Sequence, residues 1–127
     1  VITKGNDITI VASGIMVAES LKAVLKLKEE GISAELISAN TIKPLDEETI
    51  LNSIKKTNHV VTCENHNVIG GLYSAVSEML IEKYPLHVDK IAVMDQFGQV
   101  GKYSELLNYY HLTSNDIYNV VKKNLNK

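Results

Sequence analysis

The sequence predicts an α/β domain whose mostly parallel sheet is covered by helices on both faces. Short runs rich in β-branched and aliphatic residues alternate with segments whose apolar residues recur every three or four positions. The connections between them are short, and no internal repeat or low-complexity tract interrupts the order. Because strands that alternate with helices usually pair in parallel, we expect one sheet between two helical layers.

Four short apolar runs are predicted to form the strands. Their residue types favour extended backbone, and their length suits strands that are buried in a sheet. In chain order, the runs are Ile8–Ala12, Ala34–Ser38, His59–Cys63 and His87–Met94.

Five segments between and after these runs have the apolar spacing of helices. They span Val17–Leu25, Asp46–Ile54, Leu72–Lys83, Ser104–Tyr110 and Thr113–Leu125. Gly31 is predicted to end the first helix as a C-cap, and Asp46 to cap the start of the second. Tyr84-Pro85 is predicted to close the third.

Length and composition indicate one globular domain over residues 1–127. A chain of 127 residues with a net charge of -2 has no basic excess for nucleic-acid binding. Charged residues interrupt its apolar stretches well before membrane-spanning length, so we expect no membrane partner. The lone Cys63 cannot form an internal disulfide and favours a reducing, cytoplasmic setting. A start at Val1 without methionine favours a domain taken from a longer polypeptide.

The most informative segment is the corner between the third strand and the third helix. Glu64-Asn65-His66 follows the strand, and Gly70-Gly71 precedes the helix. Adjacent glycines allow a sharp turn and leave the first N–H groups of the helix open to an anion or a neighbouring carboxylate. Since loops after parallel strands gather at one edge of the sheet, Asp95 is expected nearby. The corner is predicted to be either a ligand cradle or a docking surface.

Several kinds of chemistry are possible at this corner. A carboxylate such as Glu64 at a strand end usually caps a helix or binds loop N–H groups. A metal site is not expected, because only one histidine lies in the corner. Cys63 at the end of an apolar strand is expected to be a small buried hydrophobe, with a thiol nucleophile as the alternative. The glycines match neither the dinucleotide fingerprint nor the P-loop, which leaves a phosphate-binding module open.

Three motifs resemble the C-terminal domain of transketolases. They are Thr41-Ile42-Lys43-Pro44-Leu45-Asp46, the run from Glu64 to Leu72, and Asp95-Gln96-Phe97-Gly98, in the order of that family. Ile8–Leu21 is also similar to the first strand and helix of that domain, so the resemblance covers nearly the whole chain. It implies a three-layer α/β/α fold with a mixed sheet of about five strands, the first of which is antiparallel to the rest.

The resemblance implies a chain that is inactive on its own. Transketolases use thiamine diphosphate and a divalent cation, Mg, to move a two-carbon ketol unit between sugar phosphates. Their cofactor lies between two other domains of a dimer and is held by a Gly-Asp-Gly motif, which this sequence lacks. We therefore predict no catalytic, cofactor-binding or metal-binding residue here. The predicted partners are the N-terminal and middle, thiamine-binding domains of the same enzyme, which as a whole forms a homodimer.

The resemblance identifies the domain more narrowly than it identifies the reaction of the enzyme to which the domain belongs. The same fold ends deoxyxylulose phosphate synthases and the beta subunits of 2-oxoacid dehydrogenases, but the combined motifs look most like transketolase, particularly its split forms. Gln96 stands where the family often has Arg, which puts a phosphate or salt-bridge role there in doubt.

On this assembly hypothesis, one set of residues is predicted to form the interface. The set comprises Glu64, His66, Gly70, Gly71, Asp95, Phe97 and Gly98. The alternatives from other classes are a stand-alone module that binds a phosphorylated metabolite at Gly70-Gly71 and a thiol enzyme that uses Cys63.

Overall fold

The computed structural model describes residues 1–13, 16–39, 46–64, 71–92 and 114–126, in which strands and helices alternate. The elements are β1 (Ile8–Ala12), α1 (Met16–Glu29), β2 (Ala34–Ser38), α2 (Glu47–Thr57), β3 (Val60–Glu64), α3 (Leu72–Lys83), β4 (Val88–Ala92) and α4 (Ser114–Leu125). Each of the four predicted strands is present, within two residues of its predicted ends. The helix predicted over 104–110 lies outside the described residues.

The described strands form one parallel sheet in the order β2-β1-β3-β4. β1 runs parallel to both of its neighbours, and β4 runs parallel to β3. The expectation of an antiparallel first strand is therefore wrong for β1, because α1 crosses over the sheet and returns the chain to the end where β1 began. Among the described residues, antiparallel pairing is limited to an isolated bridge between Thr3, before β1, and Leu36 of β2. The predicted sheet had about five strands, and the described residues contain four.

Helices cover both faces of the sheet, so the predicted three-layer α/β class is confirmed. α1 and α4 pack on one face in a core that includes Ile10 and Ile117, and α2 and α3 pack on the other around Val11 and Ile54. Ile10 and Val11 belong to different cores because successive side chains of a strand point to opposite faces. This explains why β1 is apolar along almost its whole length. None of the helices in the described ranges has the length and apolarity needed to cross a bilayer.

The predicted helix ends are confirmed where they fall on described residues. Asp46 accepts hydrogen bonds from the backbone N–H of Thr49 at 3.3 Å and from its hydroxyl at 2.8 Å. Gly31 has a φ of +80°, in the left-handed region that favours glycine after a helix. Asn58 has a φ of 60° and ends α2 in the same way, with its N–H donating to the carbonyl of Ile54.

Buried hydroxyl groups tie α2 to the amino end of the sheet. The hydroxyl oxygen of Thr9 in β1 lies 2.7 Å from that of Ser53 and 2.8 Å from that of Thr57. Thr57 in turn donates to the carbonyl of His59, just before β3. These contacts satisfy polar atoms that would otherwise be unpaired beneath a helix, where each would be destabilising.

An ion pair between a buried glutamate and an exposed lysine lies next to these hydroxyl groups. The Glu35 side chain is 6% exposed, and its Oε1 lies 2.6 Å from Nζ of Lys56. Burial tends to raise the pKa of Glu35, but hydrogen bonds from Lys56, Ser53 and the N–H of Gly5 outweigh it, and the pKa lies below its ordinary 4.5. The carboxylate therefore stays charged inside the fold.

On the other face, Asn124 ties α4 to the same end of the sheet. Its Oδ1 lies 2.9 Å from Nδ1 of His59, and its Nδ2 donates to Oδ2 of Asp89 at 2.9 Å. Nε2 of His87 lies 2.9 Å from Oδ1 of Asp89. Both histidines therefore make structural contacts at the starts of strands.

The lowered pKa of Glu35 predicts how stability depends on pH. A group whose pKa is lower in the folded state adds stability above its unfolded value, and this stability is lost as the pH falls through the folded value. We expect the free energy of unfolding to decrease as the pH falls below 4.5, with a shallower decrease in Glu35→Gln. Urea unfolding at a series of pH values measures this, and identical slopes for the two proteins would contradict it.

Candidate functional site

The corner after β3 is built around an internal helix cap. Glu64 is the last residue of β3 and is 4% exposed. Its Oε2 accepts the backbone N–H of Leu72 at 2.6 Å, and its Oε1 accepts that of Tyr73 at 3.4 Å. The carboxylate thus satisfies the first donors of α3 and faces the positive end of the helix dipole. The expectation that a carboxylate at this strand end caps a helix is confirmed.

Gly71 is the residue that makes room for this cap. It precedes α3 with a φ of -73°, which other residues also adopt, so its role does not depend on backbone freedom. A Cβ added to Gly71 would lie 2.6 Å from Oε2 of Glu64 and 3.1 Å from Cδ. A side chain at this position would therefore have to displace the carboxylate from the N–H groups of α3.

The cap also limits which ligands this corner can bind. A phosphate at the start of α3 would need the N–H groups of Leu72 and Tyr73, which already donate to Glu64. It would also place a second negative charge against a buried carboxylate. The geometry therefore disfavours a phosphorylated metabolite at this helix start.

The Cys63 side chain is fully buried in the fold. It lies on β3 with no exposed surface. Burial raises the pKa of the Cys63 thiol to about 12, and the negative charge of Glu64 acts in the same direction. Because the thiolate is the nucleophile, a thiol in this state cannot serve a thiol enzyme near neutral pH. Its predicted role as a small buried hydrophobe is confirmed.

Two of the seven predicted interface residues fall on described residues. Glu64 and Gly71 lie against each other, as described above. His66, Gly70, Asp95, Phe97 and Gly98 lie outside the described residues, so their role at an interface stays a prediction. Within the described ranges, no group of three or more His, Cys, Asp or Glu side chains is placed to hold a metal.

Two buried hydroxyl groups near this corner were not predicted to be unpaired, one just after β1 and one in the middle of β3. Ser13 follows β1, and its N–H donates to the carbonyl of Cys63. Thr62 lies next to Val11 in the register of β1 and β3. Neither hydroxyl has a hydrogen-bond partner among the described residues. Residue type alone could not reveal them, because buried Ser and Thr hydroxyl groups usually have a hydrogen-bond partner.

The contact between Glu64 and Gly71 predicts coupled effects of substitution. Gly71→Ala should lower the free energy of unfolding by about 1–3 kcal/mol, because the new methyl group overlaps the carboxylate. In a Glu64→Ala background the same change should be less destabilising by about 1 kcal/mol or more, since the overlapping atoms are gone. Urea unfolding of the four proteins in this cycle gives the coupling energy, and additive effects would refute the steric explanation.

Burial of Cys63 predicts slow chemical modification. With its thiol pKa raised to about 12, the folded chain should react with iodoacetamide far more slowly than the chain unfolded in urea. Mass spectrometry of timed samples measures both rates. Equally fast labelling in the two states would show that the thiol is accessible.

The comparisons with known proteins point to one family. The family model for the C-terminal domain of transketolase matches residues 1–117. The chain is 47% identical over 114 residues to a 6-deoxy-6-sulfo-D-fructose transketolase subunit of Clostridium sp. (strain MSTE9), covering 90% of this chain and 35% of that protein. It is 41% identical over 128 residues to a putative transketolase C-terminal section of Methanocaldococcus jannaschii, covering 100% of this chain and 40% of the relative.

A 1-deoxy-D-xylulose-5-phosphate synthase of Heliobacterium modesticaldum is 37% identical over 121 residues, which cover 94% of this chain and 19% of that protein. Among solved structures, a split-gene transketolase described as an inactive beta4 tetramer superposes with a TM-score of 0.89 at 45% identity. That match covers 98% of this chain and 40% of the solved chain. The chain thus spans well under half the length of these relatives. Because the family model matches residues 1–117, which are most of the chain, the chain belongs to the transketolase C-terminal domain family.

Proposed function

We propose that this chain is the C-terminal section of a transketolase and contributes to assembly without supplying reacting groups. The contact between Glu64 and α3 carries the proposal. Glu64 is the acidic side chain at the carboxyl end of β3, and both of its oxygens accept N–H groups of the same domain. A carboxylate held in this way positions a helix start and is not free to act as a general acid or base.

The residues of this chain do not fit the cofactor of the parent enzyme. The family resemblance implies thiamine diphosphate and Mg, held by a Gly-Asp-Gly motif that the sequence lacks. The described ranges also offer no cluster of three or more metal-ligating side chains. We assign the cofactor to the N-terminal and middle domains of the parent enzyme, which would transfer a two-carbon ketol unit from a ketose phosphate to an aldose phosphate.

The named relatives support a partner polypeptide. The Clostridium relative is described as a subunit, and the split-gene structure as an inactive beta4 tetramer. Both are longer than this chain, and the second is inactive in the form that was solved. These descriptions support a section that works together with other parts of the same enzyme. On the family resemblance, we further propose that these parts are the thiamine-binding domains and that the whole enzyme is a homodimer. The lone, buried Cys63 suits a reducing cytoplasm.

A second candidate is the C-terminal section of a 1-deoxy-D-xylulose-5-phosphate synthase. The Heliobacterium relative favours it, since the match covers 94% of this chain. The identity is 37% against 47% for the transketolase subunit, so transketolase is the better supported parent. The two parents differ in their product, which an assay of the assembled enzyme distinguishes.

Reconstitution tests the proposed function. We expect the chain alone, given thiamine diphosphate and magnesium, to show no ketol transfer between sugar phosphates. Co-expression with the thiamine-binding polypeptide of its source should yield a stable complex that has this activity. Ketol transfer by the chain alone would contradict the proposal, and deoxyxylulose phosphate as the product of the complex would favour the synthase.

A ligand titration distinguishes the assembly domain from a metabolite-binding module. Because Glu64 occupies the helix start, sugar phosphates titrated into the chain should give no saturable heat in a calorimeter. The Gly71→Ala variant serves as a control, since its added methyl group would block a phosphate at the same place. Saturable binding that this variant loses would establish the module instead.

A further inference from the structure

Residues 1–7 lie along the outer edge of β2 and form a segment that we call the strap. The N–H of Ile2 donates to the carbonyl of Leu36 at 2.7 Å, and the N–H of Leu36 donates to the carbonyl of Thr3 at 3.1 Å. The Thr3 hydroxyl also donates to the carbonyl of Ala34 at 3.0 Å. The strap therefore satisfies backbone groups that an edge strand would otherwise expose.

Gly5 brings the strap into direct contact with the backbone of β2. A Cβ added to Gly5 would lie 2.4 Å from the carbonyl carbon of Ala34 and 2.7 Å from its nitrogen. These are backbone atoms at the start of a strand, so they cannot move aside as a flexible side chain would. Only glycine fits this close approach.

Two anchors hold the strap next to Gly5. On one side, the Gly5 N–H donates to Oε1 of Glu35 at 3.2 Å. On the other, Oδ2 of Asp7 accepts the N–H of Ser33 at 2.7 Å, and the Asp7 N–H donates to the Ser33 carbonyl at 2.9 Å. A flexible linker rich in Gly and Ser has no such fixed contacts. The strap is thus a fixed part of the fold.

Glu35 connects the strap to the centre of the domain. Its Oε1 also accepts from Lys56 of α2 at 2.6 Å, so one oxygen joins the strap, the sheet and a helix. Next to it, Ser53 contacts Thr9 in the central strand β1. A shift of the strap would therefore disturb the ion pair of the buried Glu35 with Lys56 and the hydroxyl groups beside it.

We propose that the strap is the joint that orients this domain on the domain that precedes it in the parent polypeptide, and that Glu35 is the positioning residue that locks the joint. This inference rests on the proposed function, in which the chain is the C-terminal section of a longer protein. The relatives support that setting, because the chain spans 35% and 40% of the first two. The contacts of Ile2 and Thr3 with Leu36 would fix the direction in which the preceding segment reaches β2.

Hydrogen exchange of the chain tests whether Glu35 locks the strap. In Glu35→Gln, the amides of Ile2 and Gly5 should exchange roughly tenfold faster, because the charge-assisted bonds of the carboxylate are lost. Amides of β3 exchange through global unfolding, so they should be accelerated less than those of the strap. Glu82→Gln on the exposed face of α3 is the matched control and should behave as the wild type. Wild-type protection of the strap in Glu35→Gln would overturn the role of Glu35.

A second variant tests the strap without removing the Glu35 carboxylate, in case Glu35→Gln fails to fold. Gly5→Ala leaves the ion pair intact but forces the strap away from Ala34, so it should accelerate exchange at the same amides. If both variants leave the strap protected, the strap is held by other contacts and the proposal fails.

Small-angle scattering of the native, full-length polypeptide tests the joint itself. Glu35→Gln should broaden its distance distribution relative to wild type and to Glu82→Gln, since the two domains would no longer keep one orientation. A loosened strap with an unchanged distance distribution would overturn the joint. The scattering result does not depend on catalysis. If the assembled wild-type enzyme showed no ketol transfer, that result would contradict the proposed function and leave the test of the joint unaffected.

Discussion

Burial of β1 and β3 between two helical layers is the constraint on which the rest of the structure depends. Both strands lie in the middle of the sheet, and all five residues of each are buried. Apolar side chains fill both faces, so a polar group within these strands is satisfied only where an adjoining helix supplies a partner. The contacts of Thr9 with Ser53 and Thr57 do this near the amino end, and those of Glu64 with α3 do it at the carboxyl end. The two ends are therefore stabilised by different chemistry.

At the carboxyl end of β3, residue types that could act on a ligand are instead used in contacts within the domain. In open parallel sheets, functional groups usually collect after the carboxyl ends of the strands. Here Glu64 at that edge is fully used by the N–H groups of α3, and Cys63 beside it is buried. The described part of the corner thus has the residue types of an active site, but the structure uses them in contacts within the domain.

The sequence predicted most of the fold because its signals are local. Alternation of apolar runs and helical stripes located the described strands and helices, and Gly31 and Asp46 located helix ends through the backbone chemistry of single residues. The direction of β1 came from a family resemblance and was wrong, since strand direction depends on where a crossover helix returns the chain. Periodicity itself had indicated a parallel sheet.

The candidate site was less predictable because its contacts join residues that are distant in the sequence. Glu64 could be assigned as a cap, since the helix start follows within a few residues. The strap and the ion pair of Glu35 with Lys56 were not predicted. They depend on Gly5 meeting Ala34 across the edge of β2, which no local pattern encodes. An acidic residue within an apolar strand was the available signal, because a buried charge requires a partner.

Glu35 and Glu64 are both buried carboxylates on strands, and their negative charges are balanced in different ways. Each one lies on a strand and accepts the N–H of an approaching segment, and each has a glycine against it: Gly5 beside Glu35, and Gly71 beside Glu64. Glu35 is balanced by the full charge of Lys56, whereas Glu64 is balanced by the N–H groups and dipole of α3. An ion pair ties three separate segments together, while a helix cap fixes one turn. The ion pair therefore connects segments that are distant in the sequence, and the cap fixes the start of α3.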